Sequence, residues 1–129
     1  MKYIVHQRYR GKSLCGDINI PAMTECESVG RFITIDGKPI CAITSEVAHQ
    51  YFAINEDGEG MTRGRFIIAI QKKLIQSKQL WGKIWDDPLC QPYKRTDHED
   101  TWLWNQAWYE APVGTFRYVA KLIDLTVDE

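Results

Sequence analysis

The sequence has no long apolar run. Its longest uninterrupted apolar stretch, Phe66 to Ile70, has five residues, whereas a membrane-spanning helix needs roughly 20. The chain starts MKYIVHQRYR, with only three consecutive apolar residues before His6, so the apolar segment of a secretory signal peptide is missing. We therefore expect a cytoplasmic protein that does not enter a membrane.

The common catalytic and cofactor motifs are also missing. The chain contains no GxGxxG, no glycine-rich phosphate loop with Lys, no GxSxG and no HExxH. These absences remove the usual support for dinucleotide binding, nucleotide hydrolysis, serine hydrolysis and zinc proteolysis. We predict a protein that is not an enzyme and that has no cofactor.

Cysteine is present but without metal-binding spacing. The four cysteines (Cys15, Cys26, Cys41, Cys90) form no CxxC pair, and no His pair stands at zinc-finger distance. A structural zinc site is therefore not predicted, and none of the residues is assigned to a metal. Without a signal peptide, the four thiols are expected to be reduced and largely buried.

The length and composition are those of an ordinary folded domain. The chain has 129 residues, of which 44% are hydrophobic and 26% charged. These values disfavour a disordered chain, a collagen-like repeat and a fibrous coiled coil. We predict a single domain over residues 1–129, since the chain is too short for two independent cores of usual size.

The net charge of −1 conceals a segregated pattern. Residues 1–12 carry four cations and no acid, and residues 61–85 carry six cations and no acid, whereas residues 13–60 carry eight acids and two cations. The near balance disfavours DNA mimicry, which needs a strongly acidic surface. The segregation leaves two interpretations open: a cationic surface for a charged partner, or a basic helix against an acidic remainder.

The first part of the chain has the pattern of short strands. Alternation predicts a half-buried strand over residues 3–10, with Gly11-Lys12 as the next turn. Asp36-Gly37 accepts positive φ and predicts a tight hairpin, and Pro39 belongs at a strand start or a sheet edge. Further strands are predicted over residues 14–20, 25–29, 31–35 and 40–43. The set indicates a small curled antiparallel sheet or a partly open barrel.

Helical spacing dominates the rest of the chain. A short helix over 46–52 is capped by Thr44 or Ser45, and the strongest pattern runs over 62–78 and continues to Trp85. Capping signals at Thr96 and Thr115 predict two more helices, the first reaching Tyr109. The predicted fold class is α+β, in which residues 1–54 are mainly strands with one short helix and residues 61–125 are mainly helical.

Two groups of polar side chains have ligand chemistry. Oxygen-bearing residues at alternate positions of 55–60 resemble the start of a calcium loop, but Phe66 stands where a bidentate Glu is required, which favours a solvated turn. His98 lies among three acids (Asp97, Glu99, Asp100), which could bind a metal or act in acid–base catalysis. Acids also suit the positive end of a helix, and this is the interpretation we favour.

Aromatic residues are concentrated in the second half. Nine of the 15 lie between residues 81 and 118. Trp102, Leu103 and Trp104 are consecutive, so they cannot all face inward from one helix. We therefore predict that an exposed Trp among Trp102, Trp104 and Trp108 contacts a partner protein, although packing in the core would also account for this density.

Several stretches of the chain resemble a group of phage proteins. The segments GKSLCGDINIPAMTECE, DGKPICAITSEVAHQYFA, NEDGEGMTRGR and KRTDHEDTWLWN look like small uncharacterised proteins encoded in prophages of Gram-positive bacteria. The resemblance implies a bacterial cytoplasm and a phage accessory protein. Such proteins often bind host or phage machinery, sometimes to block a defence system. A role of this kind for the present chain is inferred by analogy with that class of proteins.

Three functions remain open from the sequence. The first is a non-enzymatic protein that binds a host or phage protein through its tryptophans, with inhibition of a host defence system as a candidate role. The second is a nucleic-acid or nucleotide binder that uses the cations of the basic helix. The third is a metal-dependent enzyme built around His98. The basic-helix residues of the second function are Arg63, Arg65, Lys72, Lys73 and Lys78.

Overall fold

A computed structural model of the chain describes residues 1–95 and 104–129. It confirms the α+β class, with an antiparallel sheet at the amino-terminal side followed by helices. The described residues form two compact units, residues 1–64 and residues 65–129. The described helices include none that is both long and apolar enough to cross a bilayer.

The first unit contains a five-stranded open sheet and a separate two-stranded ribbon. The strand order in the sheet is β6-β5-β4-β1-β7, and β2 pairs with β3 in the ribbon. All pairs are antiparallel. The strands are β1 (Lys2–Val5), β2 (Tyr9–Ser13), β3 (Gly16–Ile20), β4 (Glu25–Val29), β5 (Phe32–Ile35), β6 (Lys38–Ala42) and β7 (Phe52–Ile54).

Strand β1 lies in the interior of the sheet, between β4 and β7. Tyr3, Ile4 and Val5 are all buried, so the predicted half-buried alternation over residues 3–10 is wrong for this strand. Gly60, the first residue of the long helix that follows β7, packs against Ile4. A Cβ on Gly60 would come within 2.4 Å of the Ile4 Cγ2 atom. Both faces of β1 are therefore packed.

The predicted turn at Gly11-Lys12 is wrong. Gly11 pairs with Ile18 and Lys12 pairs with Asp17 inside the β2–β3 ribbon. The chain reverses instead between Ser13 and Gly16, where the Ser13 hydroxyl donates to the Gly16 carbonyl at 2.7 Å and Gly16 has a φ of 99°. The predicted strand over residues 14–20 is correspondingly shorter and begins at Gly16.

The predicted hairpin at Asp36-Gly37 is confirmed. It joins β5 to β6, and its two residues have φ values of 52° and 77°, as a two-residue turn of type I′ requires. Strand β4 has the predicted bounds. Strand β6 is at an edge of the sheet and contains Pro39, which agrees with the position expected for a proline.

One helix of the first unit packs beside the sheet. This helix, α1 (Glu46–Tyr51), begins after Ser45, whose hydroxyl accepts a hydrogen bond from the Ala48 amide at 3.2 Å. Phe52 was predicted as its last residue but starts β7 instead. The core of this unit combines sheet residues with residues of α1 and the ribbon: Tyr3, Val5, Tyr9, Ile20, Ile33, Ile40, Cys41, Ala48, Phe52 and Ile54.

The remaining helices are α2 (Gly60–Gln76), α3 (Trp81–Trp85), α4 (Gln106–Tyr109) and α5 (Val113–Leu122). Two short 3₁₀ segments occupy Lys78–Leu80 and Pro88–Tyr93. Helix α5 begins after Pro112, so Thr115 lies in its first turn and does not cap it. Pro112 is the N-cap residue and has extended backbone, with φ −62° and ψ 152°.

Candidate binding surfaces

Two of the three tryptophans predicted to contact a partner, Trp104 and Trp108, belong to the core of the second unit. Trp104 is 8% exposed and Trp108 is 1% exposed. Their rings stack with centroids 3.7 Å apart, while Trp81 meets Trp104 and Phe116 meets Trp108 edge-on. A partner cannot reach two rings packed in this way, so their assignment as contact residues is wrong. Trp102 lies outside the described residues.

The error comes from the backbone around Trp104. We predicted a helix from Thr96 to Tyr109, but Trp104 forms a β-bridge with Lys94. Asn105 then caps α4, and its side chain accepts a hydrogen bond from the Trp108 amide. The argument that consecutive residues must face different sides of one helix therefore does not apply to Trp104. Residues 96–103, including His98 with Asp97, Glu99 and Asp100, lie outside the described part of the chain.

Arg63 serves a structural role. Its side chain is 6% exposed, and its guanidinium donates to both carboxylate oxygens of Asp57, at 2.7 and 2.8 Å, and to the Ile54 carbonyl at 3.0 Å. Hydrogen bonds from Arg63 are the main reason that the pKa of Asp57 falls to about 2. The prediction that Arg63 contacts nucleic acid is wrong, because its side chain is buried and its guanidinium is paired with Asp57.

The oxygen atoms that resemble calcium ligands accept hydrogen bonds from the protein itself. Asp57 was a candidate ligand in the 55–60 segment, but both of its oxygens bind the Arg63 guanidinium. The Asn55 side-chain oxygen accepts a hydrogen bond from the Gly60 amide at 2.8 Å. These oxygens therefore fix the start of α2.

The other cations of the basic segment lie at the surface. Arg65, Lys72 and Lys78 are exposed and Lys73 is half-buried. Helix α2 contains no acidic residue, and Arg65 and Lys72 are seven residues apart, which places them on the same helix face. Within the described residues, Arg65, Lys72 and Lys73 form no ion pair. The positive charges of Arg65 and Lys72 on this face of α2 are therefore not neutralised by a described acidic residue.

The thiols are less uniformly buried than predicted. Cys41 and Cys90 are buried and Cys26 is half-buried, but Cys15 is exposed in the turn of the ribbon. Burial raises the pKa of Cys26 to about 12 and that of Cys90 to about 11. These two thiols stay protonated at neutral pH and are poor nucleophiles. The part of the chain described here holds no group of three His, Cys, Asp or Glu placed to bind a metal.

Sequence reasoning missed an apolar pair on the outer face of the sheet. In β4, Glu25, Glu27 and Val29 are exposed and alternate with Cys26 and Ser28. Val29 is 63% exposed and pairs directly with Phe32 of β5, which is 42% exposed. Residues opposite each other in an antiparallel pair share one face. The signal was available, since alternation places Val29 on the side of the two glutamates.

The other end of this hairpin surrounds a shallow depression. It has a volume of about 410 Å3. Three of the side chains around it are carboxylates and one is an ammonium, so its charge is mainly negative. The lining residues are Lys2, Tyr3, Glu25, Cys26, Glu27, Thr34, Ile35, Asp36, Gly37 and Asn55.

The β2–β3 ribbon has a cationic outer face. Tyr9 and Ile20 are paired and buried, whereas the next pair, Arg10 and Asn19, is exposed. Lys12 is exposed on the same side as Arg10, because alternate residues of a strand share a face. The Arg8 guanidinium donates to the Asn19 side-chain oxygen at 2.8 Å. Three cations thus lie along one side of the ribbon.

Comparison with known proteins gives no further assignment. No protein-family model matches this chain, and no curated protein or solved structure is significantly similar to it. The candidate surfaces therefore rest on geometry and charge.

Proposed function

We propose that this protein is a non-enzymatic phage accessory protein that binds a host or phage protein, with host defence systems among the candidate targets. The resemblance to prophage proteins supports the biological setting. Because Trp104 and Trp108 are in the core, we propose a contact surface other than the one predicted from the sequence. We place it on the outer face of the β4–β5 hairpin.

The observation that carries this proposal is the exposed Val29–Phe32 pair. Outward positions of a half-buried antiparallel sheet are usually polar, and in β4 the two preceding outward residues are glutamates. A contiguous apolar site with a polar border is typical of protein interfaces. Phe32 also pairs with Ala42 of β6, which extends the apolar site by one small side chain.

The size of this site indicates the centre of an interface. A stable protein complex buries about 800 Å² on each partner, of which a few central residues supply most of the binding free energy. Two apolar side chains are enough for such a centre. The border then includes Glu27, Thr34 and the exposed Arg31 of the hairpin turn. We therefore expect a partner with a recessed apolar surface that accepts Phe32.

The test compares the wild-type protein with a Val29→Thr/Phe32→Thr variant. Threonine is β-branched, which suits a strand, and it removes most of the apolar surface of both residues. Tagged proteins are incubated with a nuclease-treated lysate of a Gram-positive host, and the retained proteins are identified by mass spectrometry. Binding of the purified partner is then measured by calorimetry, and we expect the variant to bind at least about tenfold more weakly.

A Leu14→Thr variant is the matched control, because Leu14 is another exposed apolar residue of the first unit but lies in the turn of the ribbon. It should bind the partner like the wild type. Thermal unfolding of all three proteins should agree, since outward positions contribute little to stability. Equal retention of the partner by the double variant would overturn the proposal, as would a wild-type protein that retains none.

Nucleic-acid binding through α2 is a second candidate. It is favoured by the exposed Arg65 and Lys72, which share a helix face that has no acid. Of the five residues predicted for it, only Arg63 is withdrawn. Binding that does not weaken with salt would contradict it, because phosphate contacts release counterions.

A further inference from the structure

We propose that the β2–β3 ribbon binds B-form DNA through Arg8, Arg10 and Lys12. This site shares no residue with the Val29–Phe32 pair or with the cations of α2, and it uses a part of the chain that the sequence pattern had assigned to a strand end and a turn. It goes beyond the proposed protein binding.

The first step of the argument is the alignment of the cations. Arg10 and Lys12 are two residues apart in β2, so their side chains leave the same face about 7 Å apart. The Arg8 guanidinium reaches the Asn19 side chain, which stands opposite Arg10. The three positive charges therefore follow one line along the ribbon.

The second step is that this face has no occupant within the described residues. The opposite face packs Tyr9, Ile20 and part of Ile18 into the core. Neither Arg10 nor Lys12 takes part in an ion pair with any described residue. Asp17 is the one acid on the outer side of the two strands, opposite Lys12. The net charge of the face is positive.

The third step concerns which polyanion fits. A two-stranded antiparallel ribbon has the width that the major groove of B-form DNA admits. The major groove of A-form RNA is too deep and narrow for protein side chains to enter. Arginine and lysine neutralise phosphates. The Asn19 oxygen accepts a hydrogen bond from Arg8, and its NH2 group can donate to a base edge. The ribbon thus fits duplex DNA better than duplex RNA.

The test measures binding of the full chain to a fluorescent DNA duplex of about 20 base pairs between about 50 and 200 mM salt. Three phosphate contacts predict a slope of log K against log salt of about −2.7. Duplex RNA of the same sequence should bind about tenfold more weakly. An undetectable interaction with DNA at low salt would overturn the proposal.

The decisive variant is Arg10→Gln/Lys12→Gln, which removes two charges and keeps polar side chains in the strand. The slope should fall to about −0.9, as expected for one remaining contact. The matched control, Lys83→Gln/Lys121→Gln, removes the same charge from exposed positions of the second unit that neither candidate nucleic-acid site uses, and it should leave the slope unchanged. Arg65→Gln/Lys72→Gln tests the α2 candidate: if the slope falls only in this variant, the DNA site is on α2 and the ribbon proposal is wrong.

A further variant separates this proposal from the protein-binding one. Val29→Thr/Phe32→Thr should bind DNA like the wild type, because it leaves every cation of the ribbon in place. Conversely, Arg10→Gln/Lys12→Gln should retain the partner protein. Loss of DNA binding in the Val29→Thr/Phe32→Thr variant would contradict a separate DNA site on the ribbon.

Discussion

Among the glycines of the first unit, Gly64 has the least space for a Cβ atom, because His6 lies against it. A Cβ on Gly64 would lie 2.1 Å from the Cγ atom of His6, closer than any non-bonded pair of carbons can approach. The His6 Nε2 atom is buried and has no hydrogen-bond partner among the described residues. The imidazole is therefore held by packing, and the glycine is needed for space.

We expect Gly64→Ala to destabilise the protein by about 2 kcal/mol. Alanine is favoured over glycine inside a helix by about 1 kcal/mol, so the clash with His6 must exceed this gain. Unfolding in urea, followed by circular dichroism, measures the change. Gly82→Ala is the control, because Gly82 is in α3 with open space around its Cβ position. The Gly82→Ala variant should be as stable as the wild type or more stable.

A double variant tests whether the clash is the cause. His6→Ala removes the ring that Gly64 approaches, so His6→Ala/Gly64→Ala should be more stable than the sum of the two single effects predicts. We expect a coupling free energy of at least about 1 kcal/mol, measured by the same unfolding experiment. Strict additivity would show that Gly64 is required for some other reason.

At the scale of elements, the connection from β7 to α2 depends on side chains. Asp57 accepts a hydrogen bond from the Glu59 amide at 3.1 Å in addition to those from Arg63. Asn55 holds the Gly60 amide, and the Arg63 amide donates to the Glu59 carbonyl at 2.9 Å. The start of α2 is therefore stabilised by one loop whose centre is the Asp57–Arg63 pair.

Asp57→Ala should reduce the free energy of unfolding by about 2 kcal/mol. It removes both carboxylate oxygens that accept hydrogen bonds from the buried Arg63 guanidinium. Chemical denaturation at neutral pH measures the loss. Glu59→Gln changes the charge of an exposed residue in the same loop and should have an effect below about 0.5 kcal/mol. Equal losses in both variants would mean that general loop charge, and not the pair, is responsible.

Local signals identified most elements but not the ribbon turn. Asp36-Gly37 and Ser45 were predictable because turn and cap chemistry act over a few residues. Gly11 was misassigned because its role depends on another residue. Its Cβ position is 3.1 Å from the Tyr9 hydroxyl, which donates to the Lys12 carbonyl, so the absent side chain makes room for the tyrosine. Sequence pattern alone cannot distinguish this glycine from a turn glycine.

The candidate sites were less predictable than the fold. The density of tryptophans was visible, but their orientation depends on the bridge between Lys94 and Trp104, which are ten positions apart. The burial of Arg63 likewise depends on Asp57 in a neighbouring loop. The exposure of Val29 and Phe32 was predictable, because successive residues of a strand alternate between its outward and inward faces.

At the scale of the whole molecule, acid acts on two groups in separate pH ranges. Burial lowers the pKa of His6 from 6.5 to about 4, and the Arg63 side chain lowers the pKa of Asp57 from 3.8 to about 2. In both cases the unfolded chain binds the proton more readily. The contribution of these two groups to stability is therefore complete at neutral pH and is lost in two stages on acidification.

We predict that the free energy of unfolding falls by up to about 3 kcal/mol between about pH 6.5 and pH 4, before most carboxylates titrate. Urea unfolding at intervals across this range measures it. His6→Phe keeps an aromatic ring and cannot titrate, so its stability should be nearly constant over the same range. A similar decline in this variant would show that His6 is not the group responsible.

The turn of the ribbon also contacts an edge of the sheet. The outward carbonyls of Ile40 and Ala42 in β6 accept hydrogen bonds from the Leu14 and Ser45 amides, at 3.0 and 3.1 Å, and Pro39 has no amide hydrogen to donate. An edge strand with free backbone groups can recruit a strand from another molecule and start aggregation. Here two of those groups are occupied and one donor is missing. The turn of the ribbon therefore helps to keep the protein from polymerising through β6 at high concentration.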